Sequence, residues 1–360
     1  MHQLVQNAKR SFHNYFKLNE TQIHELNYLF WECTTRCNLN CLHCGSDCSS
    51  KAGQTDMPLD DFLRAIDPLR TYYKKDAITI AITGGEPLVR GDIDLCGKEL
   101  RKRGFRWGLV TNGYAYDEAT HGKLTGAGMG SLTLSIDGLE ESHNWLRNNK
   151  HSYQKAMVAL NLIKSSKRLN YDIVTCVNKR NILELPALKK YFIDNHVKAW
   201  RLFTITPIGR AANNPELQLD AEQYKYLMDF IANSRKEKAM DVKFSCESYV
   251  GAYERKVRDS FFFCRAGINI ASVLIDGSIS ACPNIDRSFS QGNIYADDFF
   301  QTWNTKFSIM RNRTWTKTGI CGTCKEFKWC QGGGLHLWPE DRQSIMQCQC
   351  FEQKNMKINP

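Results

Sequence analysis

At 360 residues, with 42% hydrophobic and 24% charged content, the chain suits one large domain plus a smaller one, and no apolar run approaches the roughly 20 residues needed to cross a bilayer. Its formal charge of +10 is spread over patches such as Arg101-Lys102-Arg103 and residues 164–168 with no aromatic-interleaved basic stripe, so nucleic-acid binding and membrane contact are not expected. Residues 1–17 lack the hydrophobic stretch and cleavage site of a secretory signal, which points to the cytoplasm and away from disulfide pairing of the 15 cysteines.

In chain order, the first predicted element is a helix in residues 1–17. Leu4, Ala8, Phe12, Tyr15 and Phe16 share one face opposite Lys9, Arg10 and Lys17, and the expectation is that the apolar face caps the rest of the fold. Strand signals then alternate with helical patterns from residue 27 to residue 232. The strands are predicted at 28–31, 77–82, 108–110, 132–136, 173–177 and 200–205. Between the first two, Pro58 opens a helix with Asp60 and Asp61 in its first turn and Leu59, Phe62, Leu63, Ile66 and Leu69 on one buried face. A later helix is expected to bury Leu183, Leu185, Leu188, Tyr191 and Phe192. Such alternation makes a parallel sheet, as an open barrel or a doubly wound sheet, with function at the strand C-termini.

The turns at those C-termini carry the chemistry. After the first strand come Cys37, Cys41 and Cys44, spaced so that one loop presents three thiolates to one metal centre. A zinc knuckle, a redox pair and a disulfide loop are the alternatives for this triplet taken alone. The second strand ends in Thr83-Gly84-Gly85-Glu86-Pro87, the third in Thr111-Asn112-Gly113 and the fourth in Ser135-Ile136-Asp137-Gly138. Past Pro207-Ile208-Gly209-Arg210 one more helix, 221–232, precedes the charged run Arg235-Lys236-Glu237-Lys238, where the domain boundary is placed. Beyond it lie clustered cysteines, glycines and a short strand signal at 272–275. Cys96 and Cys176 fall in predicted helix and strand and read as buried thiols, and Cys33 and Cys48 as packing residues beside the triplet.

Cys37-x3-Cys41-x2-Cys44 followed by Gly84-Gly85-Glu86-Pro87 on a strand–helix repeat resembles the radical S-adenosylmethionine superfamily, with His43 where the family usually has an aromatic residue. The resemblance implies an α/β fold, a partial (β/α)6 TIM-like barrel followed by a small cysteine-rich SPASM domain, divided as an N-terminal extension 1–26, a barrel 27–235 and a SPASM domain 236–360. It further implies that Cys37, Cys41 and Cys44 hold a 4Fe-4S cluster whose open iron takes S-adenosylmethionine, and that reductive cleavage yields a 5′-deoxyadenosyl radical that abstracts a substrate hydrogen. Carbonyls around Gly84 and Gly85 would receive the methionine ammonium, Glu86 would fix that turn, and Ser135 and Arg147 match positions that bind the methionine carboxylate or ribose. The alternative for Arg147 is a surface salt bridge; Asn112 and Asp137 are site residues or turn-formers.

The C-terminal pattern Cys264-x12-Gly277-x4-Cys282, Cys321-x2-Cys324-x5-Cys330, Cys348 and Cys350 resembles a SPASM domain, which carries auxiliary iron–sulfur clusters. By the family pattern Cys321, Cys324, Cys330 and Cys348 hold one cluster. Cys264 and Cys282 belong to another that lacks its usual third cysteine, because Gln331-Gly332-Gly333-Gly334 stands there. Cys350 is the expected substitute and Cys246 a weaker one, giving one or two auxiliary clusters. His336 and Trp338 follow the glycine turn with no spacing that assigns them a role.

The function this implies is hydrogen abstraction from a ribosomally made peptide or protein, such as crosslinking, with a flavodoxin- or ferredoxin-type electron donor. About 26 residues precede the first strand, so a separate leader-binding protein is a possible further partner. The alternatives are formylglycine formation by an anaerobic sulfatase maturase, porphyrin or haem modification, and a non-catalytic iron–sulfur electron carrier. Against the maturase stands Pro283, where that group has an acidic residue directly after the cysteine matching Cys282.

Overall fold

The structure, a computed structural model, describes residues 2–51, 53–245 and 247–350. Six parallel strands form where β-branched and aromatic residues run between turn signals: β1 Tyr28–Glu32, β2 Thr79–Thr83, β3 Arg106–Thr111, β4 Ser131–Ser135, β5 Asn170–Val177 and β6 Ala199–Thr204. They pair in sequence order, Tyr28 opposite Thr79 and Ile173 opposite Trp200, for example. Helices return between them on one side, and the sheet curves without closing, an α/β partial barrel.

The sheet does not end at six strands. β7 Asp241–Phe244 adds parallel to β6, and β8 Ile270–Val273 adds parallel to the other edge, Tyr28 opposite Ile270. β9 Ser278–Ser280 and β10 Gly292–Asn293 continue antiparallel, so ten strands run β10-β9-β8-β1-β2-β3-β4-β5-β6-β7. Residue 235, after which we propose the domain division, lies in the last turn of helix Ala221–Glu237, whose start is fixed by a capping box of Asp220 and Gln223. The cysteine-rich segment is thus hydrogen-bonded into the barrel's own sheet.

The core lies between sheet and helices. Trp31 stacks on Phe62 of helix Leu59–Ile66 at 4.3 Å, and Trp107 and Trp200 are fully buried. In the later helix, Leu185–Asp194, Leu185, Leu188 and Phe192 are buried as expected. Leu183 is not: it sits in the 3-10 turn Ile182–Glu184 that precedes the helix, is out of phase with the buried face, and is 78% exposed.

The N-terminal helix His2–Ile23 caps the fold, but of the apolar face expected to do so only Phe16, 6.4 Å from Phe263, meets the C-terminal segment among the described contacts. Phe12 and Tyr15 are 75% and 71% exposed, while Lys17 is buried and donates to the Trp329 carbonyl at 3.0 Å. The basic side is drawn in by aromatic faces of the C-terminal segment: Lys17 lies 5.8 Å over Phe263, Arg10 5.8 Å over Trp329, and Glu20 pairs with Arg265 at 3.0 Å. Burial, with Arg313 adding to it, pushes the Lys17 ammonium down to about 8. Leu4 lies outside the residues whose side chains are described. Among the described residues no helix is long and apolar enough to cross a membrane.

Candidate active site

The loop after β1 is pinned from both sides before it presents a thiol. Arg90, its side chain buried over the Trp31 ring at 5.3 Å, donates to the carbonyls of Cys33 (2.9 Å) and Met57 (2.7 Å) and is held bidentate by Asp92. Thr34 donates to Asp56 at 2.6 Å, and Asp56 also pairs with Arg36. From the far side Arg210 donates through Nε to the Cys41 carbonyl (2.7 Å), through Nη1 to the Cys48 carbonyl (3.0 Å), and through its backbone N–H to the Cys44 carbonyl (3.0 Å). So fixed, Cys37, Cys41 and Cys44 line one cavity of about 650 Å³ with Gly84, Gly85, Glu86, Asn112, Ser135 and Arg147.

The glycine turn is the loop's other support. Gly85 N–H donates to the Thr34 carbonyl at 2.8 Å and Glu86 N–H to the Arg36 carbonyl at 2.9 Å. A Cβ on Gly84, which has φ +143°, would sit 2.2 Å from the Thr34 oxygen, and one on Gly85 2.2 Å from the Arg36 oxygen. Only a turn without side chains lets the two backbones meet. The buried Glu86 carboxylate accepts from Thr111 Oγ1 (2.8 Å), Asn112 N–H (2.7 Å) and Leu88 N–H (3.1 Å). Burial still raises its pKa against those donors.

The thiols themselves are crowded. Burial pushes Cys37 up to about 12, with Glu86, Cys41 and Cys44 adding to the push, and burial raises Cys41 against the pull of Arg147. Cys44 moves the other way, to about 6, through a hydrogen bond with Cys48. Three thiolates ionise together here only against a bound cation. Donors already point at the sulfurs: Leu39 N–H at 3.5 Å and Asn112 Nδ2 at 3.9 Å from Cys37, and Arg147 Nη1 at 3.7 Å from Cys41. This donor set fits a 4Fe-4S cluster on three thiolates, with the polar wall of the cavity left for S-adenosylmethionine.

Arg147 is not a surface ion pair. Its Nε lies 2.6 Å from Asp137 Oδ2, with Asp137 fully buried and Arg147 8% exposed. Burial works against both charges, and the pair overrides it: Asp137 is held below its ordinary value and Arg147 above its own. Asp137 Oδ1 accepts from Cys176 N–H at 2.9 Å. Asp137 is therefore a support beneath the site, whereas Asn112 lines the cavity. His43 lines it too, neutral, since burial lowers its pKa to about 4. Cys48 also lines it, beside Cys44, and not merely in packing.

Two further thiol groups lie in the C-terminal segment. Cys321, Cys324, Cys330, Cys348 and Cys350 line one small cavity. Burial, reinforced by Cys348 and other neighbouring thiols, pushes Cys321 to about 11 and Cys330 to about 12. Cys350 thus sits with this set, which corrects its expected place beside Cys264 and Cys282. Those two line a separate cavity of about 470 Å³. Cys246 lies outside the described residues. Sequence reasoning passed over Arg90 and Arg210; the only signal for Arg210 was its place in a Pro-Ile-Gly-Arg turn at a strand's C-terminal end. It also left without a role residues 284–287, which with Pro283, His336, Trp338 and Met346 form a cavity wall.

Comparison with known proteins accords with this geometry. The family model "Radical SAM superfamily" matches residues 31–191, and the model "Iron-sulfur cluster-binding domain" (SPASM) matches residues 264–325. The chain is 24% identical to the AdoMet-dependent heme synthase of Nitratidesulfovibrio vulgaris, over 84% of this chain and 85% of the relative. It is 26% identical to the mycofactocin maturase MftC of Mycolicibacterium smegmatis, over 85% and 77%. In fold it is similar to anSMEcpe with bound AdoMet and Cp18Cys peptide, with a TM-score of 0.71 and 21% identity over 92% of this chain and 95% of that one. Streptococcus suis SuiB bound to precursor peptide SuiA gives 0.67 and 17% over 97% and 81%.

Proposed function

From the premise that the chain belongs to the radical S-adenosylmethionine superfamily and carries a SPASM domain, we propose that it removes hydrogen from a side chain of a ribosomally made peptide or protein. When bound, the cluster and S-adenosylmethionine supply reductive carbon–sulfur cleavage and hydrogen-atom abstraction. The chain's own residues do the rest. Cys37, Cys41 and Cys44 hold the iron; Arg147 and Asn112 stabilise the thiolates; Gly84, Gly85 and Glu86 shape the backbone that faces the methionine end; Ser135 offers a hydroxyl on the same wall.

The observation that supports the substrate class is that two similar solved structures, anSMEcpe with Cp18Cys peptide and SuiB with precursor peptide SuiA, hold a peptide on this fold. The 650 Å³ of the active-site cavity falls in the range of roughly 300–1,000 Å³ that buries one drug-sized ligand, and S-adenosylmethionine is itself that large. Beyond it, residues 283–287, His336, Trp338 and Met346 form the wall that a side chain reaching in from outside would meet. Pro283 follows Cys282 directly, so a cluster held by Cys282 would adjoin that wall, placed to take an electron from the substrate radical as the oxidised product forms. Pro283 is no proton acceptor, which disfavours formylglycine formation through an acidic residue at that position. The reading includes an external flavodoxin- or ferredoxin-type donor and, for substrate delivery, a separate leader-binding protein.

The test is anaerobic incubation of the reconstituted protein with S-adenosylmethionine, dithionite and the small peptides encoded beside its gene. The expected result is 5′-deoxyadenosine with a peptide mass loss of about 2 per crosslink. Turnover of an iron porphyrin with every peptide unchanged would assign the chain to the chemistry of its heme-synthase relatives. Absence of 5′-deoxyadenosine under any reductant would reduce it to an electron carrier.

A further inference from the structure

The 470 Å³ cavity beside the active site is built as a metal site with an unusual donor. Cys264 and Cys282 face it, and so do His336 and Glu247. Arg313 ties Cys264 to the turn that leads to His336, donating to the Cys264 carbonyl at 2.9 Å and to the Gly333 carbonyl at 3.2 Å.

Gly334 and His336 show what stands where the usual third cysteine is missing. A Cβ built on Gly334 would fall 2.6 Å from His336 Cε1 and 2.8 Å from His336 Nδ1. The imidazole fills the space into which a side chain at 334 would grow. Among the described residues no hydrogen bond engages either ring nitrogen, which leaves a lone pair to give. A second, independent mark is Glu247: 5% exposed, held through Oε2 by Thr204 at 2.5 Å, with Oε1 facing no partner. Buried polar atoms are left this way where a guest completes them.

The guest is larger than one ion. Tetrahedral zinc at about 2.3 Å from sulfur holds its donors about 3.8 Å apart. Among the described residues the one His, Cys, Asp or Glu group whose donor atoms all lie within 4.8 Å is His43, Asp137 and Cys176, and both Asp137 oxygens there are already engaged. Cys264, Cys282 and His336 form no such close group but line one cavity together, as Cys37, Cys41 and Cys44 do, and a cluster, unlike a single ion, offers each a separate iron.

We propose that Cys264, Cys282 and His336 ligate an iron–sulfur cluster, with a His336 ring nitrogen in place of a third thiolate. A neutral ligand for an anionic one leaves the cluster less negative and raises its reduction potential relative to an all-cysteine cluster. Because His336 also lines the active-site cavity, that more oxidising cluster borders the substrate. The inference rests on the iron–sulfur character of the C-terminal segment and not on the substrate, so it stands or falls separately from the peptide reading.

The test uses the full chain grown with ¹⁵N-histidine, reconstituted anaerobically, assayed for iron and zinc and examined, after reduction, by pulsed EPR for nitrogen coupling. The expected result is about 12 irons per chain and a directly bound ¹⁵N signal. In His336→Ala the iron falls to about 8 and the signal disappears; in His336→Cys the iron stays at about 12 without it. About 8 irons in the parent, zinc in place of iron, no ¹⁵N coupling, or coupling that survives in His336→Ala would each overturn the proposal. The labelled parent alone decides if the variants do not fold.

Discussion

Asp137→Asn is the most informative perturbation of the site's support. The Asp137 carboxylate is fully buried and serves two donors, Arg147 Nε at 2.6 Å and Cys176 N–H at 2.9 Å. An asparagine keeps one oxygen. If it faces Arg147, its NH₂ meets the Cys176 N–H; if it faces Cys176, its NH₂ meets a guanidinium. Either way a buried cation loses its counter-charge and one donor is left unpaired, and breaking a buried pair from one side costs about 3–5 kcal/mol. For a domain whose whole stability is about 5–15 kcal/mol, thermal unfolding of the cluster-loaded protein should drop by on the order of 10 °C. The second readout is electrochemical. Arg147 Nη1 lies 3.7 Å from Cys41 Sγ, so a guanidinium freed from Asp137 has only the thiolate side to neutralise it. The first cluster should then become easier to reduce, by about 59 mV for each 1.4 kcal/mol of added stabilisation of its reduced form, followed by EPR-monitored titration. Asp137→Asn combined with Arg147→Gln should recover part of the lost stability. A single variant within about 1 kcal/mol of the parent, with an unshifted potential, would refute the claim that this pair supports the cluster.

Three further outcomes follow from the same geometry. Gly85→Ala places a Cβ 2.2 Å from the Arg36 oxygen, so the contact between the two loops must open; 5′-deoxyadenosine formation should fall more than about tenfold while the C-terminal iron is retained, as read by product and iron assays. His143, buried with its pKa lowered to about 3 by desolvation, is neutral in the fold and accepts from Asp137 N–H at 3.0 Å. Its contribution is full above the unfolded value of about 6.5 and is lost as pH falls toward 3, so about 1.4 kcal/mol should go between pH 7.5 and 5.5, and His143→Gln should flatten that slope in denaturant unfolding. Phe12→Ser, at an exposed position of the N-terminal helix, should change stability by less than about 0.5 kcal/mol in the same assay.

The strands and the first cysteine loop were legible because their signals are local. Each of β1 to β6 is a run of β-branched and aromatic residues bounded by polar turns, and the Cys37, Cys41 and Cys44 spacing belongs to one loop. What was illegible depends on partners distant in the chain. Arg210 clamps the carbonyl of Cys41, 169 positions away, and nothing near Arg210 announces it. The N-terminal helix has a conventional apolar stripe at Phe12 and Tyr15, yet Phe263 and Trp329 draw its basic side inward. β8 to β10 have two to four residues each, too few for an alternation to stand out. Cys350 follows Cys348 by two positions, and its sharing a cavity with Cys321 and not with Cys264 is a fact of folding back that spacing does not encode.

Pairing of β8 with β1 is what ties the two kinds of iron chemistry together. β1 leads directly into the Cys37 loop, and β8, hydrogen-bonded to it from Tyr28 to Trp31, leads through β9 to Cys282 and the 283–287 wall. At the far end of β1, Glu32 is buried and accepts from Ile275 N–H and from Arg287, both at 2.9 Å, so the wall is fastened to the strand that carries the first cluster loop. A hinge between two independent domains would let the distance from hydrogen-abstracting centre to electron-accepting centre vary. A continuous sheet with a cross-strand carboxylate holds it fixed, as the proposed reaction, in which a substrate radical gives up its electron before water or oxygen intervenes, would require.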